Sequence, residues 1–78
     1  MKDVTLYTQP DCPPCQIMKL FFNDNNISYK EKNIKTDKTA LQELTKKYGS
    51  YSTPTVVIDG KAIIGFELEE IKKELQLD

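Results

Sequence analysis

Two cysteines spaced by two prolines, Cys12-Pro13-Pro14-Cys15, sit where the hydrophobic period of the chain changes. Upstream, Val4, Leu6 and Tyr7 lie in a short β-favouring run closed by Gln9-Pro10-Asp11, which predicts a strand of about five residues. Downstream, Ile17, Leu20 and Phe21, with Met18 and Phe22 beside them, recur at three- and four-residue intervals, the period of a helix with a broad apolar face. Prolines suit the first helical turn, where the missing N–H has no intrahelical acceptor. Proline after Cys12 also keeps Cys12 itself out of helical geometry. The chain must therefore turn from strand to helix at a dithiol, and any fold it adopts has to carry a sulfur at the mouth of that helix.

The rest of the chain fills in around this turn. Asn23-Asp24-Asn25-Asn26 marks the helix end, since Asn tolerates the left-handed cap. Residues 27–33 alternate as Ile27, Tyr29 and Glu31 against Ser28, Lys30 and Lys32, which predicts a second, exposed strand. Thr39-Ala40-Leu41-Gln42 has the form of a capping box opening a second helix, with Leu41, Leu44 and Tyr48 as its buried stripe and Gly49 as its stop. Asp59-Gly60 between Val56-Val57-Ile58 and Ala62-Ile63-Ile64 predicts a tight hairpin. Leu68, Ile71 and Leu75 define a third helix, with Glu67, Glu69 and Glu70 where the helix dipole favours acids. The order is β-α-β-α-β-β-α. The opening β-α-β implies a right-handed parallel crossover and the hairpin adds antiparallel strands. The expected architecture is an α/β single domain over residues 1–78, a four-stranded mixed sheet flanked by three helices.

Composition narrows the function. Lys and Arg number 11 against 12 Asp and Glu, so no basic face marks a nucleic-acid binder. There is no histidine, which removes Cys–His dyads and most zinc chemistry. The first residues run straight into the strand pattern without an apolar stretch fit for a signal peptide or a membrane span. The expectation is a cytoplasmic monomer without a membrane partner, and in that compartment paired thiols are usually catalytic or metal-binding.

The dithiol admits four readings: a redox pair, half a zinc site, cluster ligands, or incidental thiols. A purely structural crosslink is a poor use of this spacing, because stabilisation by loop closure grows with loop length. Structural zinc needs four ligands, so two cysteines without histidine would require dimerisation or carboxylates. Placement favours the redox pair. Residues three apart on a helix lie roughly 5–6 Å apart, close to the Cα separation of a disulfide. The bridge can therefore open and close with little backbone movement, and the helix mouth favours a thiolate. This predicts Cys12 as the nucleophile and Cys15 as the resolving thiol. Thr53-Pro54 is the second element of interest, either a proline opening an edge strand or a substrate platform facing the dithiol.

With this element order, the Tyr7-Thr8-Gln9-Pro10-Asp11-Cys12-Pro13-Pro14-Cys15 turn and Ser52-Thr53-Pro54 before the hairpin, the chain resembles the glutaredoxin family of the thioredoxin fold over essentially its whole length. The resemblance implies a cis Thr53–Pro54 bond, a central first strand and thiol-transfer activity without a bound cofactor. It also implies a substrate surface of Tyr7, Pro10, Thr53, Pro54, Gly65 and Phe66 around Cys12. Glutathione users of this family carry a basic residue where Gln9 stands. They also carry a Gly-Gly and paired acids where this chain has Ile64-Gly65-Phe66-Glu67-Leu68. Gly65-Phe66 looks instead like the NrdH-type redoxins, which draw electrons from NADPH through thioredoxin reductase and supply ribonucleotide reductase. In place of their Arg-Pro-Asp the chain has Glu67-Leu68-Glu69, and Ile63 stands where they often have Trp. A glutathione-dependent glutaredoxin is the alternative. A carrier holding an iron–sulfur cluster between two subunits, each giving Cys12, is a third reading.

Overall fold

A computed structural model of the chain describes residues 3–76; the two outermost residues at each end of the expected 1–78 domain lie outside the described residues. Strand β1 (Val4–Thr8) leads into helix α1 (Pro13–Asp24), strand β2 (Lys30–Asn33) and helix α2 (Lys38–Gln42), which continues as a wider π-helical turn over Glu43–Lys47. Strands β3 (Thr55–Ile58) and β4 (Lys61–Ile64) and helix α3 (Leu68–Leu75) follow. The sheet order is β2-β1-β3-β4. β1 runs parallel to β2, with Thr5 opposite Lys30, and antiparallel to β3, with Leu6 opposite Val56. β3 and β4 are antiparallel, joined through Asp59 and Gly60. Both turn residues have positive φ, 48° and 87°, the backbone a two-residue hairpin demands. The expected α/β, thioredoxin-like architecture with a central first strand is the observed one.

Strand alternation divides the core in two. Val4 and Leu6 of β1, with Val56, Ile58 and Ile63, meet Met18 and Phe22 of α1 and Ile71 of α3 on one face. Tyr7 and Val57 meet Ala40 and Leu44 under the second helical segment on the other. The buried stripe of α1 differs from the expected one. Ile17 and Leu20 are exposed, whereas Cys15, Met18 and Phe22 are buried. Residues 15, 18 and 22 keep the three- and four-residue spacing, rotated by about one position. Cys15 sets that rotation, since it has to lie inward beneath Cys12, and a stripe drawn from the larger apolar residues alone leaves it out.

Other boundaries moved for local reasons. β2 begins at Lys30 rather than residue 27. Asn26 takes the left-handed conformation (φ 57°) and Ile27 N–H bonds Phe22 O at 2.8 Å, closing α1 in a Schellman motif. Tyr29 then turns inward onto Phe22, ring centroids 5.0 Å apart. At α2 the cap is Asp37, not Thr39: its Oδ1 accepts from Thr39 N at 3.0 Å and Ala40 N at 3.2 Å. A carboxylate at this position competes well with a threonine hydroxyl. In the expected stripe of this segment Leu44 is buried, but Leu41 is exposed and Ala40 takes the inward place. Asp37→Ala is expected to cost about 1 kcal/mol, read as a lower urea midpoint at an unchanged slope.

Candidate functional site

The end of β1 and the start of α1 place the dithiol. Asp11 turns the chain with φ 58°, a left-handed conformation that Asp tolerates better than most residues. Cys12 follows as the N-cap of α1, in extended conformation, with Pro13 and Pro14 at the first two helical positions. Its carbonyl accepts from Cys15 N at 3.0 Å and from Gln16 N at 3.2 Å. Cys12 and Cys15 are joined by a disulfide with their Cα atoms 5.2 Å apart, within the ordinary range for that bond. The two sulfurs are not equivalent. Cys15 is wholly buried, whereas Cys12 keeps 7% exposure and lines an open groove with Asp11, Pro13, Gln16 and Ile17.

Two donors converge on Cys12 Sγ: the Cys15 N–H at 3.2 Å and, from the loop before β3, the Thr53 hydroxyl at 3.6 Å. Pro13 and Pro14 have no N–H to give, so the Cys15 N–H, shared between the Cys12 carbonyl and its sulfur, is the backbone donor of this turn aimed at Cys12 Sγ. With no acidic residue in the first turn of α1, the positive end of the helix dipole adds to it. The Thr53–Pro54 bond is cis, and Pro54 is fully buried. Gly65, at φ 90°, donates its N–H to Pro54 O at 3.0 Å, which ties the end of β4 to the same loop. Phe66 beside it is 41% exposed, and Pro10 is exposed on the turn before the dithiol.

Tyr7 requires a correction. It does not join a surface around Cys12 but is 2% exposed beneath the second helical segment, where its hydroxyl donates to Glu43 Oε1 at 2.9 Å. Strand alternation explains this, because Leu6 and Thr8 take the α1 side and send Tyr7 to the opposite face. Burial first, then the hydrogen bond to Glu43, raises the Tyr7 pKa above the ordinary phenol value. Lys32, bonded to the same carboxylate oxygen at 2.8 Å, lowers the Glu43 pKa, with Tyr7 adding to the effect. This trio anchors the π-helical turn and leaves the sulfur chemistry alone.

Two features were missed in the sequence. Ile17, taken there as core, lines the groove at Cys12. Ser50 and Thr55, 1% and 0% exposed, bring their hydroxyl oxygens within 2.9 Å of each other beneath the Thr53 loop; nothing in Ser50-Tyr51-Ser52-Thr53-Pro54-Thr55 distinguishes those two hydroxyls from their neighbours. Among the described residues no group of three or more Cys, Asp and Glu side chains converges as a metal site, and no helix among them is long and apolar enough to cross a membrane.

The glutaredoxin family model matches residues 4–63. An uncharacterized glutaredoxin-like 8.6 kDa protein in the rubredoxin operon of Clostridium pasteurianum is 29% identical over 73 residues, covering 94% of this chain and 97% of that one. The crystal structure of the thioredoxin-like protein BC3987 is 49% identical with a TM-score of 0.90, covering 92% of this chain and 99% of that one. The glutaredoxin-like protein NrdH-redoxin from Escherichia coli shares the fold, with a TM-score of 0.81 at 22% identity over 91% of this chain and 92% of that one.

Proposed function

Because the chain belongs to the glutaredoxin family and is a thiol–disulfide oxidoreductase with a Cys12–Cys15 pair, we propose that it is a dithiol electron carrier for protein disulfides, recharged by thioredoxin reductase rather than by glutathione. The carrying observation is the asymmetry of the pair: Cys12 opens on a groove while Cys15 is sealed behind it. In the reductive half-cycle the Cys12 thiolate attacks one sulfur of the substrate disulfide, forming a mixed disulfide and expelling the first substrate thiolate. The Cys15 thiolate then attacks the Cys12 sulfur, closes the Cys12–Cys15 bond and expels the second. Two electrons pass to the substrate, and its two thiolates take up the protons the cysteines gave up. Pro10, Thr53, Gly65 and Phe66 form the surface on which an extended substrate segment lies; Pro54, expected from the sequence to be part of it, is fully buried and serves instead to hold Thr53 in place from behind.

The choice of reductant is supported by charge. Glutathione carries two carboxylates and one ammonium, so a site for it calls for cations. The groove at Cys12 is lined by one carboxylate, Asp11, and by no cation. Gln9, Ile64 and Leu68 stand where glutathione users carry a basic residue, a glycine and an acid. The nearly half-identical structural relative is described as thioredoxin-like, which fits the same reading. On this view the protein acts in the cytoplasm as a monomer, with ribonucleotide reductase as the disulfide enzyme it serves, in the manner of NrdH-type redoxins. The test supplies NADPH with either thioredoxin reductase or glutathione plus glutathione reductase, and follows NADPH oxidation with a disulfide substrate. Turnover at least about tenfold faster with thioredoxin reductase is expected, equal to about 1.4 kcal/mol of discrimination; faster turnover with glutathione would overturn the proposal in favour of the glutathione-dependent alternative.

A further inference from the structure

The Thr53 hydroxyl reaches Cys12 from 41 residues away, and the loop beneath it is built to hold it there. Thr55 Oγ1 donates to Ser52 O at 2.8 Å. Ser50 Oγ lies 2.9 Å from Thr55 Oγ1 and 3.2 Å from the same carbonyl, and it accepts from Ser52 N at 3.4 Å. Both hydroxyls are buried, so their bonds are costly to break. Gly65 N–H fixes the following Pro54 carbonyl at 3.0 Å. Thr53 is thus clamped on both sides, with its side chain aimed at sulfur.

We propose that Thr53 is a catalytic residue whose hydroxyl donates a hydrogen bond to the Cys12 sulfur while that sulfur carries negative charge. The proposal rests on Cys12 being the attacking thiol. In the oxidised chain the acceptor is a neutral disulfide sulfur, a weak acceptor. A thiolate is a stronger one, because bonds to an ionised acceptor are shorter and roughly twice as strong. The contact therefore favours the reduced, ionised state over the disulfide. It acts when Cys12 attacks a substrate, and again when a reductase dithiol closes on itself and expels Cys12 as the leaving thiolate. Asp11, the ionisable side chain lining the groove beside this sulfur, opposes the same charge and is retained in every variant below.

The variants are Thr53→Val, which keeps the shape without the hydroxyl, and Thr53→Ser, which keeps the hydroxyl. In a Cys15→Ser background Cys12 is the one remaining thiol, and its alkylation by iodoacetamide is followed against pH. Thr53→Val is expected to raise the midpoint by about one unit, a tenfold change in ionisation, and Thr53→Ser to restore it. With Cys15 present, Thr53→Val is expected to shift the equilibrium with dithiothreitol about tenfold toward the protein disulfide, about 30 mV for a two-electron couple. Circular dichroism confirms that each variant is folded. An unshifted midpoint in Thr53→Val, or an equal shift in Thr53→Ser, would remove the role assigned to the hydroxyl. The reading of Cys12 is tested separately by whether the Cys15→Ser protein captures a disulfide substrate. Capture with an unshifted midpoint sinks the Thr53 proposal alone, and absence of capture sinks the assignment beneath it.

Discussion

Cys15→Ser is expected to stop the protein on its substrate as a stable mixed disulfide, whereas Cys12→Ser is expected to reduce nothing above the uncatalysed background. The difference follows from where the two sulfurs lie. Cys12 faces the groove and Cys15 has no exposed surface, so an incoming disulfide meets the outer sulfur first. Removing the inner thiol leaves the first exchange intact and abolishes the second. Removing the outer one leaves a thiol that no substrate reaches, and a serine hydroxyl that forms no bond to sulfur. Non-reducing gel electrophoresis with mass spectrometry reads the outcome: a covalent adduct on residue 12 in Cys15→Ser and none in Cys12→Ser. An adduct on Cys15 in the Cys12→Ser protein, or turnover by both variants, would overturn the order of attack. The effect is all-or-none because the two thiols act as a unit, and single losses in such units cost about as much as losing both.

The parts of this site that were legible in the sequence are those fixed by local chemistry. Once the apolar period from Ile17 onward marks a helix, Pro13 and Pro14 can belong to it only in its first turn, so the location of Cys12 followed from chain grammar. Asp59-Gly60 fixed the hairpin for the same reason, since few dipeptides accept two left-handed residues in succession. What escaped reading depends on contacts between distant segments. Periodicity finds a helix but fixes its rotation only loosely, so Ile17 and Leu20 looked internal until Cys15 was seen to set the inward direction. Tyr7 is adjacent in sequence to a residue on the site's side of the sheet, yet alternation carries its ring to the other face. The Thr53 hydroxyl could be matched to Cys12 only by bringing together residues 41 positions apart, and the Ser50–Thr55 clamp has no signature outside the folded loop.

The rotation of α1 makes the last prediction, which is also the largest in stability. Phe22 is 0% exposed and packs among Val4, Leu6, Met18, Val56, Ile58, Ile63 and Ile71. Its ring is tilted against Tyr29 at 5.0 Å and Phe21 at 5.8 Å, and such aromatic pairs add about 0.5–1.5 kcal/mol beyond burial. Phe22→Ala is therefore expected to cost about 3–5 kcal/mol. A chain of 78 residues has a total stability of about 4–12 kcal/mol at the usual value per residue, so this single change removes a large share of it. At about 4–8 °C per kcal/mol for a domain of this size, the melting temperature should fall by at least about 12 °C. Leu20→Ala, two positions earlier on the same helix but 60% exposed, should cost less than about 1 kcal/mol. The contrast separates the two placements of the helix: comparable losses at both positions would mean that α1 is not rotated as described. The function depends on the same packing, because Phe22 and Met18 continue the buried stripe that begins at Cys15. When that stripe is loosened the inner thiol is no longer sealed, so in reduced Phe22→Ala at a temperature below its melting point Cys15 should be alkylated faster than in the parent. Unchanged Cys15 protection together with a full loss of stability would detach the core from the dithiol it is argued to hold.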